Sequence, residues 1–350
     1  LKKKIFIIFL TALLISAAAG AYYVFIYDIP EKRYNKIMCY CIAREVTGTS
    51  RDFYEKITSL RDFINENIIP MVYYRQRFDT CAIEKLVCGI GWCDHQARVF
   101  MQLARSIGIS SRLLFLKSNA GPSPHSIAEA LAPDKRWVIV DPAFRLDLRN
   151  KNGEFAAQTD IQEDIGIVRD NERVKLIAKF NKAWGDPEFL SMYRNAPIYV
   201  ECKRVTAPDY LKFVPINLIR PVVSVISRRY LDRIRPGVKN PFEFKMMQAR
   251  TYHLLGYYEK CAGLYDDIIR NSGDSRLALK AGYFKAILLK DLGKYAEARD
   301  YITEVLRKDT DNPARNKKFL IGLRARMFEK TGEPAKAEED LKSLGYDLEV

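Results

Sequence analysis

The chain has 350 residues, 48% hydrophobic and 12% aromatic, which excludes a sequence too polar to bury a substantial core. Its length suggests two or three domains. The net charge is +14 and uneven, because residues 201–250 hold eleven Lys and Arg against four Asp and Glu. That stretch suits an acidic glycan or an anionic lipid as well as it suits a solvated basic linker, and nucleic acid is not expected.

In chain order, Lys2, Lys3 and Lys4 precede an uncharged, almost wholly apolar run from Ile5 to Tyr27. A helix of that length crosses a hydrocarbon core of about 30 Å. The flanking lysines belong on the cytoplasmic side, which sends the chain after Asp28 outward. Ala17-Ala18-Ala19 and Ala19-Gly20-Ala21 also fit a signal-peptidase site, so a cleaved leader is the competing reading. The run continues through Tyr22, Val24, Phe25 and Ile26, which favours an uncleaved transmembrane anchor over residues 1–27. The expected location is the cell membrane of a bacterium, single-pass, with the bulk of the chain periplasmic or at the cell surface. Seven cysteines in such a compartment leave at least one unpaired. Cys81 and Cys88 are candidates to bridge each other, whereas Cys39 and Cys41 are too close to be natural partners.

Residues 28–68 read as helical, with Ile57, Leu60, Phe63 and Ile64 at three- and four-residue spacing and Pro70 as the stop. Residues 71–150 combine a short helix with strand-like runs, and 151–200 are polar and irregular without a defensible motif. Together 28–200 form one domain. Residues 201–240 read as a basic linker, and Pro208, Pro215, Pro221 and Pro236 argue against a second membrane span there. An interfacial connector and a partly buried linker both remain open.

Residues 241–350 repeat. Gly256 with Cys261 and Tyr265 recurs as Gly293 with Ala298 and Ile302, then as Gly332 with Ala337 and Leu341. This resembles three tetratricopeptide units, which implies an all-α repeat domain that binds a protein partner.

The chemistry lies earlier. After Cys93, the apolar residues Ala97, Phe100, Met101, Ala104 and Ile107 fall on one helical face, and Gly108 supplies a cap. Cys93 therefore opens a buried helix, where unsatisfied amides and the macrodipole favour a thiolate and can receive an oxyanion. Ser110–Leu116 reads as a strand. His125 begins a second, and Arg136–Asp141 forms a third after a turn at Pro133-Asp134-Lys135. Two strands joined by a turn set His125 and Asp141 at the same end of a sheet. Nucleophilic thiol chemistry needs an imidazole to share the proton and a third group to fix its tautomer.

Gly91-Trp92-Cys93, Gly108-Ile109, Arg112, His125 with Glu129, and Trp137 with Asp141-Pro142 occur here in one order and at compact spacing. In these features residues 85–145 resemble the transglutaminase-like superfamily. The resemblance implies an α+β, papain-like core in which the Cys-bearing helix packs on an antiparallel sheet. It also implies Cys93 as nucleophile, His125 as base and Asp141 as orienting acid, acting on a peptide or protein substrate. The family often carries an aromatic two residues after the His, where this chain has Ile127. An upstream oxyanion side chain is also common in the family, and Tyr73 and Tyr74 are the candidates. His95 is the competing base, but two residues from Cys93 in the same turn it could hardly face the thiol. Glu129 lies on the His125 face, where a strand-edge salt bridge explains it equally well.

A zinc site built from Cys88, Cys93, His95 and His125 lacks paired short-spaced ligands, so neither a metal nor an organic cofactor is expected. The sequence thus points to a membrane-anchored acyl-transfer or amide-hydrolysing cysteine enzyme working through a Cys93 thioester. The alternative is a non-catalytic envelope scaffold that binds peptide or glycan and recruits partners through its repeats.

Overall fold

The computed structural model describes residues 31–69, 81–117, 119, 125–171, 174–175, 187–200, 216–308 and 314–346. The apolar run ending at Tyr27 and the tyrosines Tyr73 and Tyr74 lie outside these. Among the described residues no helix is long and apolar enough to cross a membrane.

The expected helical stretch divides into α1 (Glu31–Thr47) and α2 (Phe53–Asn67). Gly48 breaks it with a φ of +53°, and Asp52 starts α2 afresh by accepting the Glu55 amide at 2.7 Å. Ile57, Leu60 and Ile64 of α2 are buried, whereas Phe63 is only half-buried. The short α3 (Ala82–Cys88) ends at Gly89, in a left-handed conformation. It leads to α4 (Cys93–Ser106), whose Ala97, Phe100, Met101 and Ala104 are almost fully buried.

The sheet is antiparallel, with strands β1 (Ser111–Phe115), β2 (Ser126–Leu131), β3 (Trp137–Val140) and β4 (Ile198–Val200) in the order β3-β2-β1-β4. Its two faces are both covered, so the apolar pattern in β2 is nearly continuous. Leu113, Ala128, Ala130, Val138 and Val140 pack with α1–α4 in one cluster. Leu114, Ile127 and Ile139 face the other way, against a cluster that includes Phe189, Met192 and Tyr193. Ile127, which stands where the family often has an aromatic, is thus a packing residue.

Among its described residues, the segment read as irregular carries β4 and the helices α5 (Gln158–Glu163), α6 (Gly166–Arg169) and α7 (Pro187–Arg194). These are too short for periodicity to reveal. The segment read as a linker also differs from expectation, because residues 216–234 form a helix, α8 (Ile216–Ile234). Pro221 lies near its start and removes only the bond to the Asn217 carbonyl, while Pro236 sits in the 3-10 turn Arg235–Gly237 that ends it. Ile219, Val223, Ile226 and Tyr230 bury against the core, and Tyr230 stacks on Tyr34 of α1 at 4.2 Å. Burying those side chains stabilises the contact by about 1.5–3 kcal/mol each, which a solvated linker would forgo.

The C-terminal region is helical throughout its described residues and forms three hairpins. They are α9 (Pro241–Leu254) with α10 (Tyr258–Asn271), α11 (Ser275–Asp291) with α12 (Tyr295–Lys308), and α13 (Ala314–Lys330) with α14 (Pro334–Tyr346). Gly256, Gly293 and Gly332 turn each pair at φ values of +75°, +74° and +79°, a conformation that only glycine adopts cheaply. Cys261, Ala298 and Ala337, five residues later, are buried where the paired helices meet.

Candidate active site

Cys93 is the first residue of α4, and Trp92 is its extended N-cap. Gly91 is there because nothing larger fits: a Cβ would stand 2.8 Å from Ile68 and 2.9 Å from the Cβ of His95. The loop is tied down by its backbone. Gly89 accepts from the Ile69 amide at 2.9 Å, and the Gly91 amide donates to the Ile69 carbonyl at 3.1 Å. Trp92 is 40% exposed and Cys93 half-buried, so the thiol sits at a surface opening rather than in the core.

His125 enters from the sheet. The β2–β3 register pairs Ala128 with Val140, so the start of β2 and the end of β3 share one edge. There His125 Nε2 lies 2.8 Å from Asp141 Oδ2, and the ring also hydrogen-bonds the Cys93 side chain. The ring is 3% exposed and packs on Phe144 with centroids 4.2 Å apart. Burial opposes its charge, but the Asp141 carboxylate and then the Cys93 sulfur outweigh that and hold its pKa up at about 9.

Asp141 is wholly buried. Burial works against its charge, yet His125, the Tyr193 hydroxyl and the Phe144 amide together hold its carboxyl below the usual range. Tyr193 donates to Oδ2 at 2.6 Å and the Phe144 amide donates to Oδ1 at 3.0 Å. Burial and the neighbouring carboxylate push the Tyr193 phenol well above its ordinary value, so it stays a donor. Tyr193 is the site residue that the sequence did not reveal. It lies 52 positions from Asp141 on α7, in a stretch without a motif, and only the fold connects them.

The other sequence candidates fall elsewhere. His95 turns back on its own helix, and its Nδ1 accepts the Trp92 amide at 3.1 Å. Only 2% exposed, it acts as a cap while His125 faces the thiol. Glu129 pairs with Arg112, its partner across β1–β2, and the guanidinium lies 4.2 Å from the Trp137 ring and 4.1 Å from the Tyr199 ring. This cluster clamps the sheet and does not reach Asp141. Burial raises the Glu129 carboxyl, and Arg112 opposes the shift. Cys81 and Cys88 do not bridge. Cys81 caps α3 and Cys88 is its last residue, so a seven-residue helix holds them about 10 Å apart, beyond disulfide reach. Among the described residues the donors that converge closely enough for a metal ion are Glu31, Cys81 and Glu84, not the set built around Cys93. A cavity of about 480 Å³ is lined by Ile83, Val87, Cys88, Ile90, Tyr230 and Met246, and no triad residue borders it.

Residues 41–142 match the transglutaminase-like superfamily. The match takes in Cys93, His125 and Asp141 and stops short of Tyr193 and of the helical hairpins. Among solved structures, one described as a "putative cysteine protease" from Cytophaga hutchinsonii is similar at 22% identity and a TM-score of 0.29. The similarity covers 36% of this chain and 43% of that one, so the chain spans less than half the length of the structure it matches. No curated protein matches the chain.

Proposed function

From a transglutaminase-like domain at residues 41–142 that holds Cys93, His125 and Asp141, we propose a cysteine enzyme that cleaves or transfers the acyl group of an amide, with peptide-bond hydrolysis as its first reaction. The observation that carries this reading is the chain of contacts from the helix-opening thiol through His125 to a buried carboxylate with two further donors.

The chemistry follows from the parts. Nε2 of His125 is engaged by Asp141, which leaves Nδ1 to exchange a proton with sulfur. Cys93, with its proton on His125, attacks the carbonyl carbon. As the C–S bond forms, the carbonyl electron pair moves to oxygen, which the first amides of α4 stabilise. His125 returns its proton to the nitrogen as the C–N bond breaks, leaving a thioester and a free amine. Water then attacks the thioester, His125 takes its proton, and sulfur departs with the acid released. An amine in place of water gives transfer.

The test is site-resolved labelling of Cys93 by a thiol-directed electrophile near neutral pH. Cys93 should react well ahead of an ordinary exposed thiol, and His125→Ala should remove that advantage. Equal rates for Cys93 and an ordinary thiol would leave the domain as a binding scaffold without turnover. With Cys93 the faster thiol, peptides or glycan fragments altered by the wild-type protein but not by Cys93→Ala identify the substrate. The apolar run Ile5–Tyr27 after three lysines supports an anchor that holds this chemistry outside the cytoplasm, testable by protease protection in intact cells.

A further inference from the structure

The three helical hairpins turn their first helices toward the catalytic core, and what they hold is the mounting of Cys93. Arg250 of α9 is completely buried. Its Nη2 donates to the Leu86 carbonyl of α3 at 2.9 Å and to Asn67 Oδ1 at the end of α2 at 3.0 Å. Its guanidinium lies 3.7 Å from the ring of Phe284 on α11. That ring in turn presses on Gly89, where a Cβ would come within 2.3 Å of it. Beside it, the Tyr283 hydroxyl donates to the Glu66 carbonyl at 2.8 Å, and the Glu66 carboxylate is held by Lys290 and by Arg326 at 3.6 Å. Ile69, whose backbone pins Gly89 and Gly91, packs inside the hairpin core with Met246, Ala249 and Phe284.

These contacts surround one loop, Gly89–Trp92, whose far end is the thiol. The Val87, Cys88 and Ile90 side of the loop borders the 480 Å³ cavity, so close packing fixes it from the Arg250 and Phe284 side. A buried guanidinium is expensive; burial lowers the Arg250 pKa against the pull of Tyr265 and Asp291. Its Nε and Nη2 donate to the Leu86 carbonyl and its Nη2 also to the Asn67 carbonyl at 3.5 Å, at the ends of α3 and α2, where backbone acceptors lack internal partners. A displacement of about 1 Å in a nucleophile can cost about a hundredfold in rate.

We propose that Arg250 is a positioning residue for Cys93, and that the helical hairpins are built into the nucleophile's mounting through the Arg250–Phe284–Gly89 stack. This rests on the thiol reading above. It gives the inner face of the hairpins an occupant within the chain: the ends of α2 and α3.

The experiment uses the full chain and measures the rate of Cys93 carbamidomethylation, read by peptide mass spectrometry, from about pH 5 to about pH 10. Arg250→Met removes the donors and the charge while keeping the bulk, and Phe284→Leu opens the space beside Gly89. Asp340→Asn breaks the Arg324 pair between α13 and α14, far from the loop, and serves as the control. The expected result is a fall of about tenfold or more in Cys93 labelling near pH 7 for Arg250→Met, toward the rate of an ordinary exposed thiol. Phe284→Leu should move the rate in the same direction, and Asp340→Asn should lower Tm with the rate unchanged. If Arg250→Met does not fold, Phe284→Leu decides. Variants that melt earlier but keep the wild-type Cys93 profile overturn the inference and leave the thiol reading intact. A wild-type Cys93 that labels no faster than an ordinary exposed thiol overturns the thiol reading itself, and this inference with it.

Discussion

The transglutaminase-like core and the helical region each bury a histidine against an aspartate and a tyrosine, yet the two pairs carry opposite charge preferences. In the core, His125 is 2.8 Å from Asp141, which also accepts from Tyr193. In the hairpins, His253 Nε2 is 3.1 Å from Asp291, and its Nδ1 is 3.1 Å from the Tyr265 hydroxyl. Folding raises the pKa of His125 to about 9 but lowers that of His253. Burial opposes both imidazolium ions, so the neighbours decide. Asp141 is fully buried with the Cys93 sulfur close by, whereas His253 faces the Arg250 cation and shares its partially exposed Asp291 with Lys290. A His–Asp contact is therefore not a catalytic signature in itself. What distinguishes the site is a fully buried carboxylate with a thiol on the other side of the ring.

The sharpest way to break this contrast is to remove the core imidazole. His125→Ala should lower turnover of any substrate by about a thousandfold or more, a loss expected when one member of a triad is deleted. Asp141→Asn tests the charge rather than the geometry, because the amide oxygen can still accept from Nε2. His125 must be protonated to expel the amine, so the wild-type pH–rate profile should show a basic limb near 9. Without the carboxylate that limb should move toward the ordinary value of 6.5. A limb that stays put would show that Asp141 does not set the charge of His125.

Tyr193→Phe should have a smaller effect. It removes one donor to a buried carboxylate, worth about 1.5–3 kcal/mol, and should lower kcat by about tenfold or more. Tyr193 is fully buried with its hydroxyl on Asp141, so KM should be unchanged. A rise in KM at constant kcat would instead place the phenol against substrate.

What the sequence disclosed and what it hid follow the same physical division. Cys93, His125 and Asp141 stand at element ends, where a glycine, a helical face or a turn marks the position, so local pattern locates them. For Glu129, a place on the His125 face and a strand-edge salt bridge are equally good readings of the alternation, and the structure pairs it with Arg112. Tyr193 and Arg250 act at 52 and more than 150 residues from their partners, through contacts that no local period encodes. Prolines misled for a related reason. Pro221 and Pro236 look like breakers in a linker, but Pro221 costs α8 one bond near its start and Pro236 lies in the turn that ends it. Cys81 and Cys88 misled because cysteine counting ignores the rigid helix between them.

The smallest catalytic effect belongs to the second histidine. Folding depresses the pKa of His253, so its contribution to stability is present above the ordinary 6.5 and is lost as pH falls through the folded value. For His125 the sign reverses: its contribution is complete below 6.5 and lost as pH rises through about 9. His253→Gln should therefore flatten the acid side of a stability–pH curve and leave the alkaline side to His125. It should destabilise the chain by about 1–3 kcal/mol, because Tyr265 and Asp291 lose a well-placed partner. The basic limb of the pH–rate profile should stay near 9, since His253 exchanges no proton with Cys93. Thermal melts and the rate profile of this one variant separate the two pairs. If the limb moved with His253→Gln, the core histidine would have lost its claim to that titration.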